Sequence, residues 1–304
     1  MRPVLLGAAH IDRIGYASCE AAHTSAPGRV VQGFGGVAYN VAGGLAALGA
    51  VPILVSRAGS DADGEALVTD LTARGVDASS ILVDAARTTA TYHAIINRDG
   101  ALLGAIADMA IYDALTIAQL APMRLMIESA DLVFVDANLP EETLRWIGDL
   151  ERQGQLVANS VSQAKATRLV PIMACLDVMF TNRTEGAVMS GSPGQEDVLE
   201  TARALCDLGA RAAIVSNGAR EIGICQSGSV AASIPALPAN PVDETGAGDA
   251  LVAGTLFGLL KGQVLSDAVH AGLAAARMCV ETRGAALPKS RIGEIETALN
   301  LNTP

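Results

Sequence analysis

Residues 241–256 read PVDETGAGDALVAGTL: a glycine-spaced turn with two carboxylates and a threonine precedes Asp249, and the chain then runs into an almost wholly apolar segment. Gly246 and Gly248 permit tight backbone geometry, and the pattern predicts a helix from about Ala247 to near Gly262, so several free N–H groups of its first turn point outward. Such an end binds anions. Asp249 falls in that turn, where the helix dipole favours its ionised form. A proton-accepting carboxylate beside a cradle for negative charge is what phosphoryl transfer to a hydroxyl requires, since that catalysis is mostly positioning and charge stabilisation. Taken alone, the stretch also fits a plainer reading, in which Asp249 only stabilises a helix N-terminus and the glycines only shape a turn.

Two further segments have the same character. In GFGGVAYNVAGGLAALG, Gly35 and Gly36 precede Asn40 and a helix that packs through Ala42, Leu45, Ala46 and Leu48. In TNRTEG, Asn182 and Glu185 stand three residues apart at the start of a helix that follows a strand. The elements that must position these groups alternate: short β-rich runs such as PVLLGA, VPILVSRAG, DLVFVDAN, QLVANSV, DVMFTN and RAAIVSN are separated by Ala/Leu-rich helical stretches. Apolar runs of that kind suit strands buried on both faces of a parallel sheet, which makes the chain α/β. Residues 87–107 break the rhythm, with two β-prone runs flanking NRDG, a hairpin-turn composition that predicts a β appendage.

Bulk properties restrict the partners. The chain has 304 residues, 50% hydrophobic and 17% charged, with a net charge of −11 and a pI near 4.8. Nucleic acid is not expected as a partner, because phosphate-backbone affinity needs clustered Lys and Arg. No apolar run reaches the eighteen or so residues of a membrane helix, and the five scattered cysteines lack C-x-x-C spacing, which fits a reducing cytoplasm better than a disulfide framework or a zinc site. His10, His23 and His270 show no metal-ligand spacing and are expected to be structural, as is Trp146 on its helix.

In order and spacing, FGGVAYNVAGGLAALG, TNRTEGAVMSG, IVSNGAR and DETGAGDALVAG together resemble the ribokinase-like, PfkB-type family of carbohydrate and nucleoside kinases, over nearly the whole chain. The resemblance implies a single domain over 1–304, a three-layer α/β/α fold with a mainly parallel central sheet, and a small β lid contributed by about 13–34 and 86–108. It implies ATP and Mg²⁺ as cofactors. Asp249 would be the general base, and the amides of Gly246, Ala247 and Gly248 the anion hole for the transferring phosphoryl group. Asn182 and Glu185 match the family's N-x-x-E motif, which organises Mg²⁺ through water, although helix capping would also explain the pair. Ser216, Asn217 and Gly218 match the turn near the nucleotide phosphates, with Glu221 where a Gly is usual. Asp12, Gly36 and Asn40 match positions that hold sugar hydroxyls. Asp243 and Thr245 match residues that hold a monovalent cation such as K⁺, together with carbonyls near Val280, Arg283 and Ala285; Lys289 falls close to that loop, where its ammonium would either replace the cation or simply be solvated.

The segment TATYHAIINRDGALLGAIADMAIYDALT, followed by VDANLPEETLRWI and SVSQAKATRL, resembles the pseudouridine kinase branch of the family, chiefly through ADM and S-V-S-x-x-K. One departure is ANS at 158–160, where that branch typically has Asp-Pro before V-S, so that Asn159 replaces an acid. Thr89, Thr91 and His93 fall on one face of the lid by alternation, with Thr91 and His93 expected to meet the group at the anomeric carbon, although a partly buried lid residue with no such contact equally explains His93. A two-stranded appendage leaves an open edge, so lids of two subunits are expected to pair in a homodimer. Ribose, another ribonucleoside or a ketohexose stay open as substrates. So does a catalytically silent member that senses a nucleoside, although such a protein has no need of a base.

Overall fold

The computed structural model describes residues 1–19, 25–194, 197–285, 287–288 and 291–300. His23 and Lys289 lie outside the described residues. The strands are β1 (Val4–Leu6), β2 (His10–Ala17), β3 (Gly28–Gly35), β4 (Ile53–Gly59), β5 (Ile81–Asp84), β6 (Thr91–Ile96), β7 (Leu102–Asp108), β8 (Leu132–Asp136), β9 (Gln155–Asn159), β10 (Val178–Asn182), β11 (Ala212–Ser216), β12 (Glu221–Gln226) and β13 (Ala232–Pro235). The helices are α1 (Val37–Ala47), α2 (Ala62–Arg74), α3 (Ile117–Leu120), α4 (Arg124–Glu128), α5 (Glu141–Asp149), α6 (Gln163–Ala166), α7 (Arg183–Met189), α8 (Val198–Asp207), α9 (Ala247–Leu260), α10 (Leu265–Val280) and α11 (Ile292–Asn300).

Nine strands form the main sheet in the order β13-β12-β11-β10-β9-β8-β1-β4-β5, and all its pairings are parallel except those of β11 with β12 and β12 with β13. The apolar runs are buried on both faces, as parallel strands require. In β8, Leu132 and Phe134 join the core shared with α1, α9 and α10, while Val133 and Val135 join the core on the opposite face with α5 and α8. Helices on both faces make three layers.

Strand order also decides where a ligand can bind. From β1 the chain builds outward through β4 and β5 on one side and through β8, β9, β10 and β11 on the other. In an open α/β sheet the crevice at such a reversal, beyond the carboxyl ends of the strands, is where ligands bind. The residues closing those strands are polar: Asp136 ends β8, Asn159 ends β9, Asn182 ends β10 and Ser216 ends β11. Asp136 is the register partner of Asn159, and Asn182 of Ser216; because Asn159 pairs with Phe180, the second pair stands two residues further along the strands than the first.

The lid is a separate sheet of four strands in the order β3-β2-β6-β7, so the two-stranded appendage read from residues 87–107 is half of it. The NRDG composition does form the β6–β7 hairpin: Asn97 Oδ1 accepts from Ala101 N at 2.8 Å, and Gly100 turns the chain at φ 85°. Its other two strands arise from residues 10–17 and 28–35, where sequence alternation is interrupted by glycines. All five cysteines are free thiols. No helix among the described residues is long and apolar enough to cross a membrane.

Candidate active site

The glycine turn folds as its composition dictates. Gly246 caps α9 with φ 79°, and a Cβ there would stand 2.3 Å from the Ala285 Cβ, so only glycine fits. The first intrahelical bond runs from Ala250 N to Gly246 O at 2.9 Å, so the Gly248 and Asp249 amides precede the helical ladder. The Ala247 amide has a partner in Glu244 O at 3.3 Å.

Asp249 sits half-buried at the base of a cleft of about 160 Å³ that also reaches Asn159, Asn182, Glu185, Ser216 and Gly248. Asn40, from the first turn of α1, donates through Nδ2 to Asp249 Oδ2 at 2.7 Å, joining residues 209 positions apart. Burial pushes the Asp249 carboxyl up to about 7; the Asn40 bond works against that shift, and the negative charges of Asp136 and Glu185 add to it. Sequence reasoning from the helix dipole pointed the other way. Desolvation outweighs the dipole here, although some solvent still reaches the carboxylate from the cleft.

Of the two roles expected of Asn182 and Glu185, the structure shows the helix cap. Asn182 caps α7, accepting through Oδ1 from Glu185 N at 2.9 Å, and its Nδ2 donates to Glu185 Oε1 at 2.7 Å. The Ser160 hydroxyl donates to Glu185 Oε2. Burial raises the Glu185 carboxyl above its ordinary value, with both hydrogen bonds opposing. Ser216 lines the cleft; Asn217 and Gly218 lie in the β11–β12 turn just outside its lining. Glu221, the departure in that turn, braces it by accepting from Asn217 Nδ2 at 2.7 Å.

At the start of α1, Gly36 adopts φ 107°, with a Cβ position 2.3 Å from Ala8 O. Asp12 lies on β2 with its carboxylate folded over Gly35, and His10 Nε2 is 3.1 Å from Asp12 Oδ1. The lid register decides which residues neighbour Asp12. Tyr92 is the β6 partner of Asp12, whereas Thr91 pairs with Ile11 and His93 with Arg13. Paired residues share a face, so Tyr92 and Ala94 stand on the Asp12 face while Thr91, His93 and Ile95 stand on the other. On that other face Arg13 binds Asp63 of α2 through Nη2, at 2.7 and 2.6 Å. Thr89 is not on the strand; its hydroxyl donates to Asp61 Oδ1 below the lid.

Asp243 ties two loops together by accepting from Thr245 N and Gly284 N, each at 3.0 Å. Of the carbonyls expected around a monovalent cation, Val280 O already accepts from Val242 N at 2.7 Å and Asp243 N at 3.1 Å, which fills both its lone pairs. The carbonyls of Arg283 and Ala285 complete the expected set. Among the described residues no three acidic, His or Cys side chains converge on a metal site. Sequence reasoning missed Ser160, Asp136 and Tyr92. The first two are joined to the site by tertiary contacts that leave no local pattern.

The model of the pfkB family carbohydrate kinases matches residues 3–291. This chain belongs to that family. It is therefore an ATP-dependent kinase of sugars or nucleosides, acting on a small molecule. It is similar to the protein named pseudouridine kinase from Escherichia coli (strain K12), 31% identical over 271 residues, covering 88% of this chain and 86% of that protein. Among solved structures, a carbohydrate kinase from Agrobacterium tumefaciens superposes with a TM-score of 0.85 at 31% identity, covering 99% of this chain and 97% of that one. An Arabidopsis thaliana ribokinase complexed with ribose and ATP has the same fold, with a TM-score of 0.82 at 19% identity over 98% of both chains.

Proposed function

We propose that this kinase transfers the γ-phosphoryl group of ATP to the 5′-hydroxyl of pseudouridine, giving pseudouridine 5′-phosphate and ADP. The observation that carries the reading is the Asn40–Asp249 hydrogen bond, which joins the sugar-side helix α1 to the anion-binding turn of α9 at one carboxylate. Asp12, Gly36 and Asn40 hold the ribose-like diol, so that the 5′-hydroxyl meets Asp249 Oδ1. That carboxylate takes the hydroxyl proton as the oxygen bonds to the γ-phosphorus and the bond to the ADP oxygen breaks. Because the Ala247 amide already has a partner in Glu244 O, Gly246 and Gly248 carry most of the anion hole. Ser216, Asn217 and Gly218 border the nucleotide phosphates.

Among the described residues no side chains build a metal cage, and the half-buried Glu185 carboxylate beside the phosphate cleft suits Mg²⁺, which keeps most of its waters and is held largely by phosphates. Glu185 and Asn182 would hold it through water, and Mg²⁺ would supply neutralisation of developing phosphate charge. Asp243 and Thr245, with the remaining carbonyls, suit K⁺.

The substrate reading rests on the relative named pseudouridine kinase and on the lid. Tyr92, beside Asp12 on one face, is our candidate for contact with the base, in place of Thr91 and His93. The exposed lid face opposite Asp12 carries Val30, Ile95 and Ile106, and we assign it to pairing with a second copy of the chain. ADP release measured over pseudouridine, uridine, inosine, ribose and fructose tests the substrate. Pseudouridine should give the highest kcat/KM, and equal or better use of ribose overturns the assignment while leaving the kinase.

A further inference from the structure

Glu185 stands on the first turn of a short helix, and a glutamate has three side-chain torsions to fix before its carboxylate is aimed. Two groups fix it. Asn182 comes from the same helix start, whereas Ser160 directly follows a different strand, β9, 25 residues earlier in the chain than Glu185. Ser160 is fully buried, and its hydroxyl oxygen lies 2.8 Å from that of Thr181. A carboxylate can only accept, so Ser160 commits its one proton to Glu185 Oε2, while the Thr181 hydroxyl, 3.1 Å from Asn182 O as well, packs against the Ser160 oxygen and holds it in place.

The backbone that presents Ser160 is held at both ends. Ser160 N donates to Phe180 O at 3.3 Å, Asn159 Oδ1 accepts from Val161 N at 2.9 Å, and Ser162 N donates back to Ser160 O at 2.7 Å. That last bond closes a three-residue turn and drives Val161 to φ 66°, the one non-glycine with positive φ among the described residues. A β-branched residue stays in that region only where its surroundings over-determine it, and such turns gather at functional sites. Val161 itself lines the cleft.

We propose that Ser160 is a positioning residue for phosphoryl transfer, its hydroxyl fixing the Glu185 carboxylate in the orientation from which it holds the hydrated divalent cation on the nucleotide. This rests on the reading of Glu185 given above. The two roles are compatible, because each carboxylate oxygen has two acceptor sites and Ser160 takes one of those on Oε2. Loss of the hydroxyl frees the glutamate torsions and leaves a half-buried oxygen without its donor. Metal binding then weakens while binding of the metal-free nucleotide, which does not use Glu185, stays as it was.

The experiment measures Mn²⁺ binding to the protein·ADP complex by electron paramagnetic resonance of free Mn²⁺, with ADP affinity in EDTA measured by calorimetry alongside. Ser160→Ala is expected to weaken Mn²⁺ binding about 10-fold or more, in the range seen for outer-shell partners of metal sites, with ADP affinity in EDTA within about twofold. Adding Ser160→Ala to Glu185→Gln should weaken Mn²⁺ binding no further, since one acts through the other. Unchanged Mn²⁺ binding in Ser160→Ala, with a loss in Glu185→Gln, overturns the role of Ser160 and leaves that of Glu185. Unchanged binding in Glu185→Gln removes both. Equal losses of ADP with and without metal in Ser160→Ala make the residue merely structural. If that variant does not fold, Ser160→Cys, which keeps the shape with a weaker donor, carries the same test, and no loss of Mn²⁺ affinity there overturns the proposal.

Discussion

At the scale of single residues, Asp249 carries the sharpest expectations. Asp249→Asn should retain Mg·ATP binding while turnover falls by the roughly 10² to 10⁴-fold typical of a lost general base. Near-normal turnover would remove it from that role. Its stability effect has an unusual sign. The folded carboxyl binds its proton more tightly than the unfolded one, from 3.8 up to about 7, so ionising it weakens the fold as pH rises between those values, and the loss is constant above them. Asp249→Asn should therefore stabilise the protein at pH 8 by about 1 to 3 kcal/mol, less than the full shift implies because solvent reaches the group. The gain should vanish below about pH 4. Denaturant titrations at pH 4 and pH 8 check this, and a gain independent of pH contradicts it. In wild type, kcat/KM should rise with pH through the same region, since only the carboxylate accepts a proton.

At the scale of elements, the lid tests how register decides which side chains meet a ligand. Tyr92→Ala should shrink the preference for pseudouridine over ribose by about tenfold or more, as expected when a buried partner of the substrate is lost, whereas His93→Ala should leave it within about twofold. The reverse outcome returns the contact to His93. Alternation along TYHAII was legible in the sequence, because strand period is a local property. Which of its two faces meets Asp12 was not, since it depends on pairing with β2, some 80 residues earlier, and a slip of one residue exchanges the faces. The turn into α9 and the Asn182 cap were legible for the opposite reason: glycines, cap and helix are contiguous there. Ser160 was hidden because its partner, Glu185, lies on another element.

At the scale of the molecule, the lid leaves β3 and β7 as open edges and exposes Val30 at 71%, Ile106 at 72% and Ile95 at 54% on one face. Apolar rows of this kind next to unpaired edges call for cover. Sedimentation velocity at micromolar concentration should give a dimer, and Ile95→Lys combined with Ile106→Lys should shift it to the monomer. A wild-type monomer under those conditions contradicts the pairing. The alternation of strands and helices, and so the three layers, could be read from apolar runs; strand order and the four-strand lid could not, because pairing between distant strands leaves no trace in composition.

The packing of α9 has a consequence for how the chain is made. It is apolar on every side, with an unbroken buried run from Ala250 to Gly258, and it lies so close to α1 that a Cβ on Gly44 would stand 2.7 Å from the Ala253 Cβ. Its partner face on α1, including Val41, Ala42 and Leu45, leaves the ribosome some 200 residues before α9 does. Until α9 arrives, the nascent chain carries that face uncovered, and Asn40 waits for a carboxylate not yet synthesised. At about 5 to 20 residues per second that interval lasts on the order of 10 to 40 s, long enough for the half-made protein to need shielding from its neighbours.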